Sequence, residues 1–164
     1  MSSVDISELP HIREKFKDKK IVFCSGSFDL THAGHVLFFE DCKKYGDVLV
    51  VMVGNDFNLR NYKGQERPIL NEHVRLKIVS SLKPVDYAFL DLDRPDKDLL
   101  ANLKRVFTDL KPDFYIINDD AYEIERRKEI LKSHQTELVI LPRTCPPEFE
   151  SISSSGIIKK IKGK

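Results

Sequence analysis

The stretch IVFCSGSFDLTHAGHVLFF, residues 21–39, contains the order of elements from which the fold can be predicted. It begins with an apolar run, residues 21–25, of the kind that forms a strand buried on both faces. A short polar loop follows, and Thr31 is placed to cap a helix over residues 33–45 that ends at Gly46. A strand, a loop and a helix in this order form the first half of a βαβ unit.

Four further apolar runs repeat the strand pattern, and segments with helical spacing separate them. The runs are VLVVMV (48–53), VDYAFL (85–90), FYIIN (114–118) and LVILP (138–142). One helical segment is capped by Asn71 and stops before Pro84, and three others cover about 97–109, 121–133 and 155–162. This alternation predicts a Rossmann-like, doubly wound α/β fold, with a mainly five-stranded parallel sheet and helices on both faces.

Composition narrows the class of protein before any motif is considered. The 164 residues are 41% hydrophobic, and we expect one domain over residues 1–164 with its core at about 20–161. Lys and Arg number 27 against 26 Asp and Glu, so the charge gives no indication of nucleic acid as a partner. The sequence has no run of 18 apolar residues, no leader-like start and only three widely spaced cysteines. We therefore expect a soluble, cytoplasmic protein that contacts no membrane.

Two histidines, His32 and His35, lie at the start of the first predicted helix, where the spacing puts them on one face. They could be core residues that pack beside Gly34, or zinc ligands that lack a recognisable third partner. They could also contact a phosphate, because a helix N-terminus favours an anion and imidazoles can donate hydrogen bonds to it. The carboxyl ends of parallel strands are the usual ligand edge, and the histidines follow such an end, which favours the phosphate interpretation.

Familiar phosphate-binding loops are absent from the sequence. Gly26, Gly34 and Gly46 stand apart, so there is no GxGxxG pattern, and there is no GxxxxGK[ST] loop. A dinucleotide-dependent oxidoreductase and a P-loop kinase are therefore disfavoured.

The stretch GSFDLTHAGH (26–35) resembles the signature of the HxGH nucleotidyltransferases, a superfamily that includes cytidylyltransferases, heptose-phosphate nucleotidyltransferases and FAD synthases. Later segments resemble family motifs in the same order. These are KKYGDVLVVMVGNDFNLRNYKGQERPI, EHVRLKIVSSLKPVDYAFL, PDFYIINDDAYE and LPRT followed by ISSSGII. The resemblance covers about residues 20–161. It departs from close cytidylyltransferases at CPPEFES (145–151), an insertion that could reshape the acceptor or base pocket.

The resemblance implies a role for individual residues. The catalytic residues would be His32, His35 and Lys63. The nucleotide-binding residues would be Gly26, Ser27, Phe28, Asp29, Asp119, Arg143, Thr144, Ser153 and Ser154, and Arg75 and Asp56 would lie near the acceptor or a phosphate. Asp29 and Asp56 would also order these groups. No protein ligands for a metal are predicted.

The implied reaction is the attack of an acceptor phosphate on the α-phosphorus of a nucleoside triphosphate, with release of pyrophosphate. The LPRT and ISSS segments favour CTP with a small phosphorylated alcohol such as glycerol phosphate. The alternative, favoured by KGQERPI, is ATP with a heptose phosphate or with FMN. Mg²⁺ would accompany the triphosphate, and family members imply a homodimer. A nucleotide-binding module without turnover and a zinc-dependent hydrolase remain as other classes.

Overall fold

The computed structural model describes residues 2–92 and 100–163, which form one parallel sheet flanked by helices. The strands of these ranges are β1 (Ser2–Ser3), β2 (Ile21–Gly26), β3 (Val48–Val53), β4 (Tyr87–Leu90), β5 (Phe114–Asn118) and β6 (Glu137–Leu141). The helices are α1 (Leu9–Lys15), α2 (Ala33–Lys43), α3 (Asp56–Lys63), α4 (Glu72–Ser80), α5 (Ala101–Asp109), α6 (Ile124–Leu131) and α7 (Ser154–Ile161). The predicted fold class, a Rossmann-like α/β fold, is confirmed.

The strand order decides where a ligand can bind. Hydrogen-bonded neighbours run β1-β4-β3-β2-β5-β6, and all pairs are parallel. From β2 the chain builds outward through β3 and β4, and then crosses back to place β5 on the other side of β2. The sheet therefore changes direction between β2 and β5, and a crevice opens at the carboxyl ends of these two strands.

Both faces of the central strands are buried, which explains their continuous apolar sequence. Ile21 and Phe23 of β2 belong to a cluster with α1, α5 and α6, whereas Val22 and Cys24 belong to a cluster with α2 and α4. Phe23 stacks on Tyr115 with ring centroids 5.2 Å apart. The sheet is thus covered on two sides, and its carboxyl edge is left for function.

The start of α2 differs from the prediction. Thr31 is not the cap, because its Oγ1 donates to the carbonyl oxygen of Phe28 at 3.0 Å. His32, in extended backbone (φ −140°), is the N-cap residue, and the helix ends at Lys43. The first histidine therefore precedes the helix, and the second lies in its first turn.

Other elements escaped the sequence analysis or have shorter bounds. The two-residue strand β1 and the helices α1 and α3 were not predicted. The predicted helix over 97–109 begins outside the described residues, and its described part is α5. The Asn71 cap is confirmed, since its side chain accepts from the N–H of Val74. Within residues 2–92 and 100–163, no helix has the length and apolarity needed to cross a bilayer.

Candidate active site

The loop after β2 is built on a glycine and two left-handed residues. A Cβ at Gly26 would come within 2.8 Å of the Phe28 ring, so glycine lets that ring fold back on the strand. Phe28 and Leu30 have φ angles of 48° and 47°. Residues other than glycine rarely adopt such positive φ angles, because they strain the backbone. The buried Phe28 ring packs on Phe39 and meets His35 edge-on. The loop is therefore held rigidly beside the histidines.

Asp29 ties this loop to the segment that follows α3. Its carboxylate is buried and accepts from the backbone N–H groups of Ile69 and Leu70 at 2.9 and 3.0 Å, and from Arg67 Nε at 3.1 Å. Burial acts to raise the pKa of Asp29, but these donors outweigh it and lower the pKa below its ordinary value. Both oxygens are used inside the protein, which fits the ordering role implied for Asp29.

Arg75, predicted to lie near the acceptor or a phosphate, contacts the loop after β2 from inside the protein. It is fully buried, and its guanidinium donates to the carbonyl oxygens of Leu70 and Ser27 and to Asp56 Oδ1, at 2.9, 2.6 and 2.8 Å. Asp56 is the acidic partner in this ion pair. Arg75 has no exposed surface and makes its contacts within the protein, so its assignment with Asp56 to the acceptor or a phosphate stays a prediction. We call Asp29, Asp56 and Arg75 the loop clamp.

The two histidine rings lie together at the start of α2. Their centroids are 4.0 Å apart with an interplanar angle of 26°. The Nδ1 atom of His35 faces the N–H of His32 at 3.4 Å and accepts from it, so the neutral ring carries its proton on Nε2. The Nδ1 atom of His32 is buried without a protein partner in the described part of the chain. A Cβ at Gly34 would lie 3.1 Å from the His32 ring, which explains the glycine between the histidines.

Both histidines are held in the neutral form. Burial lowers the pKa of His35 to about 3, and the nearby His32, Arg143 and Lys63 act in the same direction. Burial, and then Arg143, also lower the pKa of His32. Neutral imidazoles beside two cations form an environment that favours a bound anion.

Lys63 and Arg143 approach the histidines from different elements. Lys63, the last residue of α3, donates from Nζ to Ser27 Oγ at 2.9 Å, and desolvation, followed by the charge of Arg67, lowers its pKa. Arg143 follows β6 and is paired with Asp120 at 2.6 Å, with half of its side chain exposed. We call His32, His35, Lys63 and Arg143 the histidine crevice.

The C-terminal segment closes over the crevice. Ser153 caps α7 by accepting from the N–H of Gly156, and Ser154 Oγ donates to the carbonyl oxygen of Asp29. Thr144 Oγ1 donates to a carboxylate oxygen of Asp41 on α2. These contacts join Ser154 to the loop after β2 and Thr144 to α2, and Thr144 lines the same cavity as His35.

An open cavity of about 550 Å³, counting the solvent in its mouth, lies beside His35. Its walls come from α2, from the end of β5 and from residues 142–152. Members that the sequence analysis missed include Leu37, Phe38, Asp41, Asn118, Phe149 and Ile152. Asn118, Phe149 and Ile152 are distant from the histidines in sequence, and no local pattern distinguishes Leu37, Phe38 and Asp41 from the rest of α2. Asp119 is exposed beside this edge, and its N–H donates to the carbonyl oxygen of Leu141.

The predicted alternatives for the histidines can be compared with this geometry. In residues 2–92 and 100–163, no group of three His, Cys, Asp or Glu side chains is arranged to hold a metal ion. The histidines also differ from ordinary core residues, because His35 lines the open cavity and Nδ1 of His32 has no partner among the described residues. The geometry is that of an anion site at a helix N-terminus.

Comparisons with known proteins agree with this geometry. The family model "Cytidylyltransferase-like" matches residues 23–160. The FAD synthase of Archaeoglobus profundus is 35% identical over 141 residues, which are 85% of this chain and 84% of that protein. The bifunctional protein HldE of Helicobacter pylori is 35% identical over 159 residues, which are 96% of this chain and 31% of HldE. The chain thus spans about a third of the length of this bifunctional relative.

A solved structure gives the same result. The lipopolysaccharide core biosynthesis protein of Thermoplasma volcanium superposes with a TM-score of 0.65 at 31% identity, covering 77% of this chain and 99% of that one. Fold, site and relatives confirm the predicted class, a nucleotidyltransferase enzyme. The chain belongs to the cytidylyltransferase-like family.

Proposed function

We propose that this enzyme transfers a nucleoside monophosphate from its triphosphate to the phosphate group of a sugar phosphate. AMP is the first candidate for the transferred group. One observation carries the proposal: a stacked pair of neutral histidines at a helix start, flanked by Lys63 and Arg143. Adenylyl transfer is supported by the FAD synthase relative, whose product contains AMP. A sugar phosphate is supported by the loop KGQERPI, which resembles the heptose-phosphate branch.

The geometry supports charge stabilisation as the main source of catalysis. An oxygen of the acceptor phosphate forms a bond to the α-phosphorus, and the bond from that phosphorus to the bridging oxygen breaks, so that pyrophosphate leaves with the electron pair. The Nε2–H of His35 is a donor that needs no prior deprotonation or protonation at neutral pH. Lys63, Arg143 and the N–H groups of the first turn of α2 add positive potential where charge develops.

A magnesium ion bound to the triphosphate fits these residues. Its chemistry would be to neutralise phosphate charge. The carboxylate of Asp29 is already used by three protein donors. The ion would therefore be held by phosphate oxygens and water, which is the habit of Mg²⁺ in such sites.

A second candidate is CMP transfer from CTP to a small phosphorylated alcohol such as glycerol phosphate. It is favoured by the LPRT and ISSS segments, whose Thr144 contacts Asp41 on α2 and whose Ser154 contacts Asp29 in the loop after β2. The two candidates share the reaction centre and differ in the base and in the acceptor.

The test is to incubate the protein with Mg²⁺, one of four nucleoside triphosphates and one acceptor from a panel, and to measure pyrophosphate. The panel contains a heptose phosphate, a hexose phosphate, FMN and glycerol 3-phosphate. We expect release with ATP and a sugar phosphate. Release with CTP alone would replace the first candidate by the second, and no release with any pair would favour a binding module without turnover.

The homodimer implied by the resemblance is part of the proposal. Light scattering during gel filtration tests it, with a mass of about twice 19.0 kDa expected. A mass near 19.0 kDa at assay concentration would contradict it.

A further inference from the structure

Two tyrosines from opposite halves of the chain meet over the crevice between β2 and β5. Tyr62, in the last turn of α3, lies 4.5 Å from Tyr122 between ring centroids, at an interplanar angle of 57°. Tyr62 is 43% exposed. Neither tyrosine belongs to the two apolar clusters formed by the described residues. Core packing therefore does not explain the pair.

The pair lies beside Lys63 and outside the lining of the cavity. Lys63 follows Tyr62 in the chain, and its Nζ is 5.8 Å from the centroid of the Tyr62 ring. Tyr122 lies in the connection from β5 to α6, two residues before that helix, and α6 packs on the face of the sheet opposite α2. The cavity of about 550 Å³ is lined by α2 and by residues 142–152, and neither tyrosine is part of its wall.

A buried arginine fixes the position of Tyr122. Arg127 donates from Nε to the carbonyl oxygen of Tyr122 at 2.7 Å, and its NH1 donates to the hydroxyl of the buried Tyr115. Ser25 of β2 completes this group through its contact with the Tyr115 hydroxyl at 2.9 Å. The backbone of Tyr122 is therefore hydrogen-bonded to Arg127, which contacts Tyr115 of β5. Tyr62 belongs to α3, the helix that ends at Lys63.

We infer that Tyr62 and Tyr122 form the acceptor subsite and select a phosphorylated ring compound. This inference rests on the proposed function. A transfer between two substrates needs a binding region on each side of the phosphates, and the cavity supplies one of them. The tyrosine pair supplies the other: the acceptor phosphate lies at Lys63, and the ring of the acceptor packs against Tyr62. An acyclic polyol phosphate has no ring face to bury there.

The ring could be that of a sugar or of a flavin, and the choice of acceptors separates the two. Steady-state rates are measured with a sugar phosphate, FMN and glycerol 3-phosphate, for the unchanged protein and for Tyr62→Ala, Tyr122→Ala and Tyr62→Phe. Tyr62→Phe is the matched control, because it keeps the ring and loses only the hydroxyl. Thermal melting of each variant shows that the chain is folded.

We expect Tyr62→Ala to raise KM for the ring acceptor by about tenfold, since the loss of an aromatic contact is of that size. KM for the triphosphate, and the rate with glycerol 3-phosphate, should stay within about twofold, as should all values for Tyr62→Phe. Tyr122→Ala should act as Tyr62→Ala does. An equal loss with glycerol 3-phosphate, a rise in KM for the triphosphate instead, or no change would overturn the inference.

Failure of the proposed function gives a different result from failure of this inference. If the unchanged protein releases no pyrophosphate with any pair, calorimetric titration with the sugar phosphate and FMN still tests the subsite. Binding that Tyr62→Ala weakens by about tenfold and Tyr62→Phe leaves intact would support the subsite. Binding insensitive to Tyr62, or none of either compound, would overturn it.

Discussion

The loop clamp and the histidine crevice both contain charged or polar residues, and one short loop connects the two regions. They differ in how completely those residues are paired within the protein. In the loop clamp, Arg75 is fully buried and its guanidinium is bound to protein oxygens. In the histidine crevice, His35 lines an open cavity and Arg143 keeps half of its side chain exposed. The comparison teaches that burial with complete internal pairing marks a charge that organises the loop. Incomplete pairing at the cavity marks a group that can meet a substrate.

The largest effect on stability is expected from the loop clamp. Arg75→Met leaves the half-buried Asp56 without its main partner and the carbonyl oxygens of Leu70 and Ser27 without this donor, so the free energy of unfolding should fall by about 3–5 kcal/mol. Denaturant unfolding measures it. The matched control is Arg60→Met, whose exposed guanidinium lies 3.8 Å from the same carboxylate and should cost less than about 1 kcal/mol. Equal losses for both variants would remove the distinction between buried and exposed partners.

The next effect concerns pH and the crevice. The folded chain holds His35 neutral with a pKa of about 3, whereas the unfolded chain protonates it near the ordinary value of 6.5. The unfolded state therefore binds more protons at acid pH, and stability is lost as pH falls from 6.5 towards 3. His35→Gln should reduce this loss by roughly 3 kcal/mol between pH 6.5 and pH 4. Parallel stability curves for the two proteins over that range would show that His35 is not held neutral.

A smaller effect is expected at Asp29, where the clamp and the crevice meet. An asparagine has one acceptor oxygen and cannot replace a carboxylate that accepts from Ile69, Leu70 and Arg67 together, so Asp29→Asn should cost about 1–3 kcal/mol. The segment after Lys63 should loosen, and KM for the triphosphate should rise. A melting curve and initial rates check both. Loss of kcat alone, with stability unchanged, would indicate that Asp29 acts on the substrate directly.

The smallest effect is expected where an exposed ion pair joins α7 to the loop after Lys63. Lys162 Nζ lies 3.0 Å from Glu66 Oε2, and both side chains are more than half exposed. Lys162→Ala should change stability by less than about 1 kcal/mol and leave the rate almost unchanged. A large loss of activity would instead make α7 a mobile element controlled by this pair.

The sequence predicts the sheet better than it predicts the contacts across the sheet. Continuous apolar runs identified β2 to β6. Of these strands, β2 to β5 are mostly buried, whereas β6 lies at the edge of the sheet and has no buried residue. The strand β1 has only two residues, too few to show a pattern. Thr31 was chosen as a cap by residue type, but the extended backbone occurs one residue later, at His32.

Among the site residues, local spacing was sufficient only for neighbours in the chain. His32 and His35 could be paired from their separation of three positions. Arg75 could not be recognised as a clamp, because its partner Ser27 is 48 positions away and its burial depends on three elements. The cavity residues Asn118 and Ile152 meet α2 for the same long-range reason. Contacts of this kind follow from topology, which the sequence pattern gives only in outline.

The proposed role of His35 is to stabilise charge on the transferred phosphate, and it is not needed for folding. The most direct measurement is pyrophosphate release by His35→Ala at saturating triphosphate and acceptor, with the exposed His73→Ala as control and unfolding curves for both. We expect kcat to fall about 100-fold or more for His35→Ala, at nearly unchanged stability at pH 7.5. For His73→Ala we expect an unchanged kcat. A kcat for His35→Ala within about twofold of the unchanged protein would show that His35 does not stabilise the transferred phosphate.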